Sequence, residues 1–151
     1  MTDATVRRAT TDDIGALVDL RTAFVSEFSE DDETHRESLA EYLGRSLASD
    51  DFRAWLVVDA GRIVSTSGMV VYERMMRSRG AGVGREGYVL NVYTYPEFRR
   101  RGYGLLAMRA LVDHARECGI RLTLLATDDG RPMYEKLGFR HDDRTYRWWP
   151  E

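Results

Sequence analysis

Apolar residues recur at Ile14, Leu17, Val18, Phe24, Val25 and Phe28, the approximate spacing of one helical face, which predicts a first helix ending near Ser26. Thr10 with Asp13 three residues later is a capping signal for its start, and residues 6–8 before it read as a short opening strand. Residues 27–33 are acidic, carry few apolar anchors and read as a loop. Leu39, Tyr42, Leu43 and Leu47 mark a second helix ending near Ser49 and Asp50. The period then changes. Trp55, Leu56, Val57 and Val58 fill a strand over 54–60, Gly61 supplies a turn, and Ile63, Val64 and residues 69–72 return as its hairpin partner. Residues 74–87 read as a connection rich in glycine and arginine. Residues 88–94 form a further strand, closed by Tyr95 and Pro96 because proline cannot donate to a ladder.

From Gly102 the helical period returns through Leu105, Leu106, Met108, Leu111, Val112 and Ala115, with Gly119 as the breaker. Residues 120–126 read as a strand. Pro132, Met133, Tyr134 and Leu137 form a short helix closed by Gly138, with Pro132 suited to its first turn. Residues 139–149, with Tyr146, Trp148 and Trp149, read as terminal strand material bending at Asp142 and Asp143. Strands alternating with helices in the second half predict one α/β domain with a mixed sheet.

Composition narrows the chemistry. The chain has 151 residues, 43% of them hydrophobic and 31% charged, which suits one globular domain. A formal net charge of -3 does not suit a protein that coats nucleic acid or anionic lipid. The single cysteine, Cys118, allows no intrachain disulfide, and His35, His114 and His141 show no ligand spacing, so no metal is expected. Neither a secretory leader nor an apolar run of membrane-spanning length is visible, and a cytoplasmic protein is expected.

The strongest chemical signal is Arg99-Arg100-Arg101-Gly102-Tyr103-Gly104, set between a mostly apolar strand and a long helix. Glycines let backbone approach a ligand closely, and the free amides of a helix start attract anions. The same letters also describe a basic turn that merely caps a helix. Gly82-x-Gly84-x-x-Gly87 matches the dinucleotide fingerprint in letters but leads into a strand, so it reads as an inter-strand loop, and no Walker-type loop is present.

Arg99-x-x-Gly102-x-Gly104, preceded by Asn91-Val92-Tyr93-Thr94-Tyr95-Pro96, resembles the acyl-CoA pyrophosphate loop of the GCN5-related N-acetyltransferases. Downstream, Tyr134-Glu135-Lys136-Leu137-Gly138-Phe139 resembles that family's late Tyr-to-Gly-Phe segment. The resemblance covers residues 55–139. It implies a mixed, mostly antiparallel central sheet with two splayed parallel central strands, flanked by helices. It also implies acetyl-CoA as acyl donor, held by backbone amides from Arg100, Arg101, Gly102, Tyr103, Gly104 and Leu105, with Arg99 at a family Gln/Arg position. Val92, Tyr93 and Thr94 fall in the strand the pantetheine arm would follow, Val92 and Thr94 making main-chain contacts. The Val92 amide would face the thioester carbonyl.

By the same resemblance Tyr134 is the proton donor to the leaving thiolate. Thr127 stands where the family often has Asn, and Gly130 where Ala is common. Asn91 occupies a strand position where an acid is frequent, and a neutral amide cannot act as base; Glu86 and Glu27 are the next candidates for handling the acceptor's ammonium. Asn91, Tyr93 and Glu27 are the expected acceptor contacts. Cys118 lies away from both motifs, so direct transfer is expected over a cysteine relay. The expected acceptor is a primary amine of a small molecule; a peptide or protein amine, and a non-catalytic acyl-CoA sensor, are the alternatives. A homodimer is plausible from the resemblance, with the aromatic tail as one contributor.

Overall fold

A computed structural model describes residues 3–30, 34–77 and 82–150. Five strands form one sheet in the order of the chain: β1 (Thr5–Arg8), β2 (Phe52–Asp59), β3 (Arg62–Met75), β4 (Val83–Thr94) and β5 (Ile120–Leu124). Neighbours β1 to β4 are antiparallel, and β4 and β5 are parallel. Parallel neighbours need a crossover. It is supplied by α3 (Tyr103–Cys118), while α1 (Ile14–Ser26) and α2 (His35–Ala48) follow β1, and α4 (Arg131–Lys136) follows β5.

The capping signal at Thr10 is realised as a reciprocal box, in which the Thr10 amide donates to Asp13 Oδ2 at 2.8 Å and the Thr10 side chain accepts from the following turn. Arg7 of β1 adds two 2.8 Å bonds to the Asp13 carboxylate, tying the opening strand to the helix entrance. Arg7 is the main reason the Asp13 carboxyl is held below its ordinary range. At the other end of the chain's long helix, Gly119 takes a left-handed φ of +66° and stops α3 as expected.

Apolar alternation divides the core by sheet face. One cluster packs Leu17, Leu20 and Leu43 of α1 and α2 against Phe52, Ala54, Leu56 and Tyr93. The other packs Met108, Leu111 and Ala115 of α3 against Trp55, Met69, Val71 and Val89. Val57, Val64, Tyr103 and Ala107 close the sheet at the loop end of α3.

Two expectations are corrected. Residues 74–87 are not an open connection: β3 runs on to Met75 and β4 begins at Val83, pairing in continuous register through Arg74↔Gly84 and Tyr72↔Glu86. The glycines serve close packing there. A Cβ on Gly87 would lie 2.8 Å from Met69 Sδ and 3.0 Å from Leu122 Cδ2. Residues 78–81 lie outside the described chain. The second correction is the terminal strand: residues 139–150 have no regular secondary structure, and Tyr146, Trp148 and Trp149 stand in solvent. Strand-like sequence does not make a strand without a ladder partner.

Candidate functional site

The site is built around the two flanks of β4. Toward β3 it is paired from Val83 to Thr94; toward β5 it pairs only from Arg85↔Ile120 to Val89↔Leu124. β5 ends there, whereas β4 continues for five more residues. The open flank of residues 90–94 is the cleft that the splayed-strand expectation requires. Within it lies a bulge. Thr66 pairs with Tyr93 and Gly68 with Leu90, so Asn91 and Val92 together oppose the single residue Ser67. Asn91 takes a left-handed φ of +59° to absorb the extra residue, and its buried Oδ1 has no hydrogen-bond partner. A bulge re-aims the groups around it and is enriched beside active sites. Val92 turns toward the α3 face and Tyr93 toward the α1 face, as the alternation predicted.

Beyond Thr94, a short turn at Pro96–Phe98 leads into the arginine-glycine loop. Arg100 is left-handed at φ +64° and Gly102 at +82°, so the loop reverses twice before α3 begins. No side chain caps the start of α3. Its first amides are therefore available to an anion, and the helix dipole favours one. Gly104 faces the cleft, because a Cβ there would meet Thr94 Oγ1 and Met133 Sδ, both at 3.6 Å. Tyr103 contributes backbone only: its ring is fully buried and its hydroxyl donates to Asp59 at 2.5 Å.

Arg99 turns back from the loop. Its Nε donates to the Thr94 carbonyl at 3.0 Å, and its Nη2 donates to both oxygens of Glu27 at 2.9 Å. The guanidinium also stacks 5.4 Å from the Tyr93 ring centre. Glu27, expected to meet the acceptor, is thus engaged by the loop that would meet the donor. Tyr93, expected at the acceptor pocket, is packed in the core against Phe24 and Tyr95. Burial, reinforced by Glu27, pushes its hydroxyl up to about 12.

On the α4 side a cavity of about 1150 Å³ is lined by Tyr72, Glu86, Tyr88, the end of β5, Tyr134 and much of the tail. Tyr134 is half-buried, with its ring edge-on to Phe139 at 5.9 Å. Burial holds its hydroxyl above the ordinary phenol range, so it stays protonated at neutral pH. Gly130 makes room for it: a Cβ there would lie 2.9 Å from the Tyr134 ring. Thr127 spends its hydroxyl locally, accepting from the Gly130 amide at 3.3 Å.

Glu86 is buried in the wall of this cavity. Tyr72 donates to its Oε2 at 3.0 Å and Arg74 to its Oε1 at 2.6 Å. Sequence reasoning named Glu86 but missed Tyr72, Arg74 and Tyr88, whose cavity positions follow only from the β3–β4 register. A separate recess of about 500 Å³ between α1 and α2 holds none of the predicted site residues. Cys118 is at the far end of α3, with Sγ 3.6 Å from His114 Nε2. Among the described residues no cluster suits a metal ion, and no helix is long and apolar enough to cross a membrane.

The model of the acetyltransferase (GNAT) family matches residues 17–139, and the chain belongs to that family. No curated protein sequence matches it. A predicted acetyltransferase from Clostridium acetobutylicum, solved with acetyl-CoA, is 28% identical, with a TM-score of 0.83 over 96% of this chain and 95% of its own. A GCN5-related N-acetyltransferase from Ralstonia eutropha JMP134 is 25% identical, with a TM-score of 0.81 over 97% and 98%. Glucosamine-6-phosphate N-acetyltransferase from Arabidopsis thaliana is 15% identical and shares the fold, with a TM-score of 0.75 over 98% and 99%.

Proposed function

We propose that the protein transfers an acetyl group from acetyl-CoA directly to a primary amine of a small molecule. The observation that carries this reading is the flank of β4 left open beyond Val89, which leads straight into the uncapped, doubly left-handed loop before α3. An extended arm fits the open flank as a further strand would, and a pyrophosphate fits the amides at the helix start. The Clostridium relative's acetyl-CoA supports the choice of donor. Bound there, acetyl-CoA supplies the activated acyl group as a thioester.

The chain's own groups divide the remaining work. Loop amides from Arg100 to Leu105 hold the anionic end, and Val92 and Thr94 offer main-chain contacts along the arm. The Val92 amide, re-aimed by the bulge, stabilises negative charge on the acyl oxygen. The Tyr134 hydroxyl, kept protonated by burial, gives its proton to the departing sulfur. Glu86 is the one buried carboxylate of the cavity wall among the described residues. A carboxylate offers about four acceptor sites, of which Tyr72 and Arg74 use two. Glu86 therefore keeps capacity for the acceptor's ammonium and its proton. A reaction that draws on acetyl-CoA supports the expectation of a cytoplasmic protein.

Release of free thiol from acetyl-CoA, followed over a panel of small amines, amino acids and peptide N-termini, tests the reading. Turnover with small amines is the expected result. Tight acetyl-CoA binding with no release across the panel would replace it with a non-catalytic sensor, and release with peptides alone would move the acceptor class.

A further inference from the structure

Helix α1 carries an arginine where its pattern calls for an apolar side chain. Leu17 and Val18 stand one turn before Arg21, and Phe24 and Val25 one turn after it, so position 21 continues an apolar stripe. Arg21 is half-buried there, on the recess of about 500 Å³ between α1 and α2. Burial alone holds its guanidinium below the ordinary arginine range, and the group is still charged at neutral pH.

The other arginines drawn in from the exposed surface are paired. Arg36 donates to Thr22 Oγ1 at 3.0 Å and to Asp19, while Arg53 donates to the Asp50 carbonyl at 3.0 Å and meets its carboxylate at 3.3 Å. Arg21 has neither a hydrogen bond nor an ion pair among the described residues. Its guanidinium lies 5.4 Å from the centre of the Phe24 ring. That contact uses the flat face of the group and leaves the five N–H donors on its edge. A partly desolvated cation with unused donors costs free energy until an anion meets it.

The recess is built to admit one. Thr22 Oγ1 accepts from Arg36 and lies 3.2 Å from His35 Nε2, which fastens α1 to α2 at this point. Tyr42 of α2 brings a further hydroxyl to the lining, and Val25 and Leu39 offer apolar wall. Glu30 is the one carboxylate of the lining and is exposed, so water weakens its repulsion of an anion. The volume suits a small molecule. No residue of the donor loop or of the Tyr134 cavity belongs to this recess.

We propose that the recess between α1 and α2 binds an oxyanion, the carboxylate or phosphate group of a small molecule, with Arg21 as its principal ligand and Tyr42 as a second donor. Both anions present paired oxygens that match two N–H groups of a guanidinium fork. The carbon frame of the ligand rests on Val25 and Leu39.

Sodium phosphate and sodium acetate, each titrated into the isotope-labelled full chain at constant pH and ionic strength, test the site by NMR. The Arg21 Nε–H signal and the Val25 and Leu39 amides are expected to shift together and saturate with at least one of the two anions. Saturation by phosphate alone assigns a phosphate group, by acetate alone a carboxylate, and by both the shared oxyanion. Arg21→Gln is expected to raise the Kd read from the Val25 and Leu39 amides at least about tenfold, as suits the loss of a charged hydrogen bond. Tyr42→Phe, at an exposed position, is expected to raise it about threefold, with thermal melts reporting that each variant folds. No saturating shift with either anion, or wild-type affinity in either variant, would overturn the proposal. Binding is read without turnover, so its failure and a failure of acetyl transfer are distinguishable.

Discussion

One strand, β4, has two flanks of opposite character. Toward β3 it is laddered to both ends around the bulge at Asn91 and Val92, and Ser65 Oγ crosses the seam to the Tyr93 carbonyl at 3.0 Å; β3 is itself anchored by Thr66 Oγ1 to the Trp55 carbonyl of β2 at 2.9 Å and by Ser67 Oγ to the Ala107 carbonyl of α3 at 2.7 Å. Toward β5 it is paired for five residues and then left open, with the orphaned Asn91 oxygen beside the opening. Satisfied backbone stabilises, and unsatisfied backbone is where a ligand can bind. The two flanks therefore separate stability from function within a single element.

Substitutions can break that separation or sharpen it. The largest effect is expected from Tyr134→Phe on the open side, which removes the acid and keeps the ring. Turnover should fall about 100-fold, as is usual for a lost general acid, with acetyl-CoA affinity by calorimetry nearly unchanged; wild-type turnover would remove Tyr134 from the chemistry. Gly102→Val is expected to raise the acetyl-CoA Kd at least about tenfold, because a branched residue resists the φ of +82° that the loop needs. On the closed side, Ser67→Ala should lower unfolding free energy by about 1 kcal/mol in denaturant melts and leave kcat per folded molecule unchanged. An equal loss of turnover would show that the flanks are not separable.

The smallest effect concerns pH. The Tyr93 hydroxyl is raised to about 12 in the fold, against about 10 unfolded. Its contribution to stability is therefore complete below about pH 10 and is lost as pH rises toward 12. Thermal melts should show a decline over that interval that is shallower in Tyr93→Phe.

Much of this was legible in the sequence. The helices, the Thr10–Asp13 box, the arginine-glycine loop and the Tyr134-to-Phe139 segment rest on local rules, and the structure places them as expected. What failed depended on distant partners. Gly84 and Gly87 look like loop glycines until Met76, Met69 and Leu122 are seen to occupy the space their side chains would need. Arg99 and Glu27 are 72 residues apart, so nothing local signals that they are paired. The tail has the composition of a strand, but whether it forms one depends on a partner that no residue of its own sheet supplies. Glu86 was recognisable as a carboxylate near the site; that Tyr72 and Arg74 clasp it is a matter of cross-strand register.

The crossover between β4 and β5 also sets the order in which the molecule can assemble. The β2–β3 hairpin joins neighbours in the chain and can close early, whereas the Val89↔Leu124 seam must wait for α3 to be made and docked. On the ribosome, both walls of the donor cleft exist only after β5 has emerged. A nascent chain halted before that point would hold a nearly finished antiparallel sheet and no cleft.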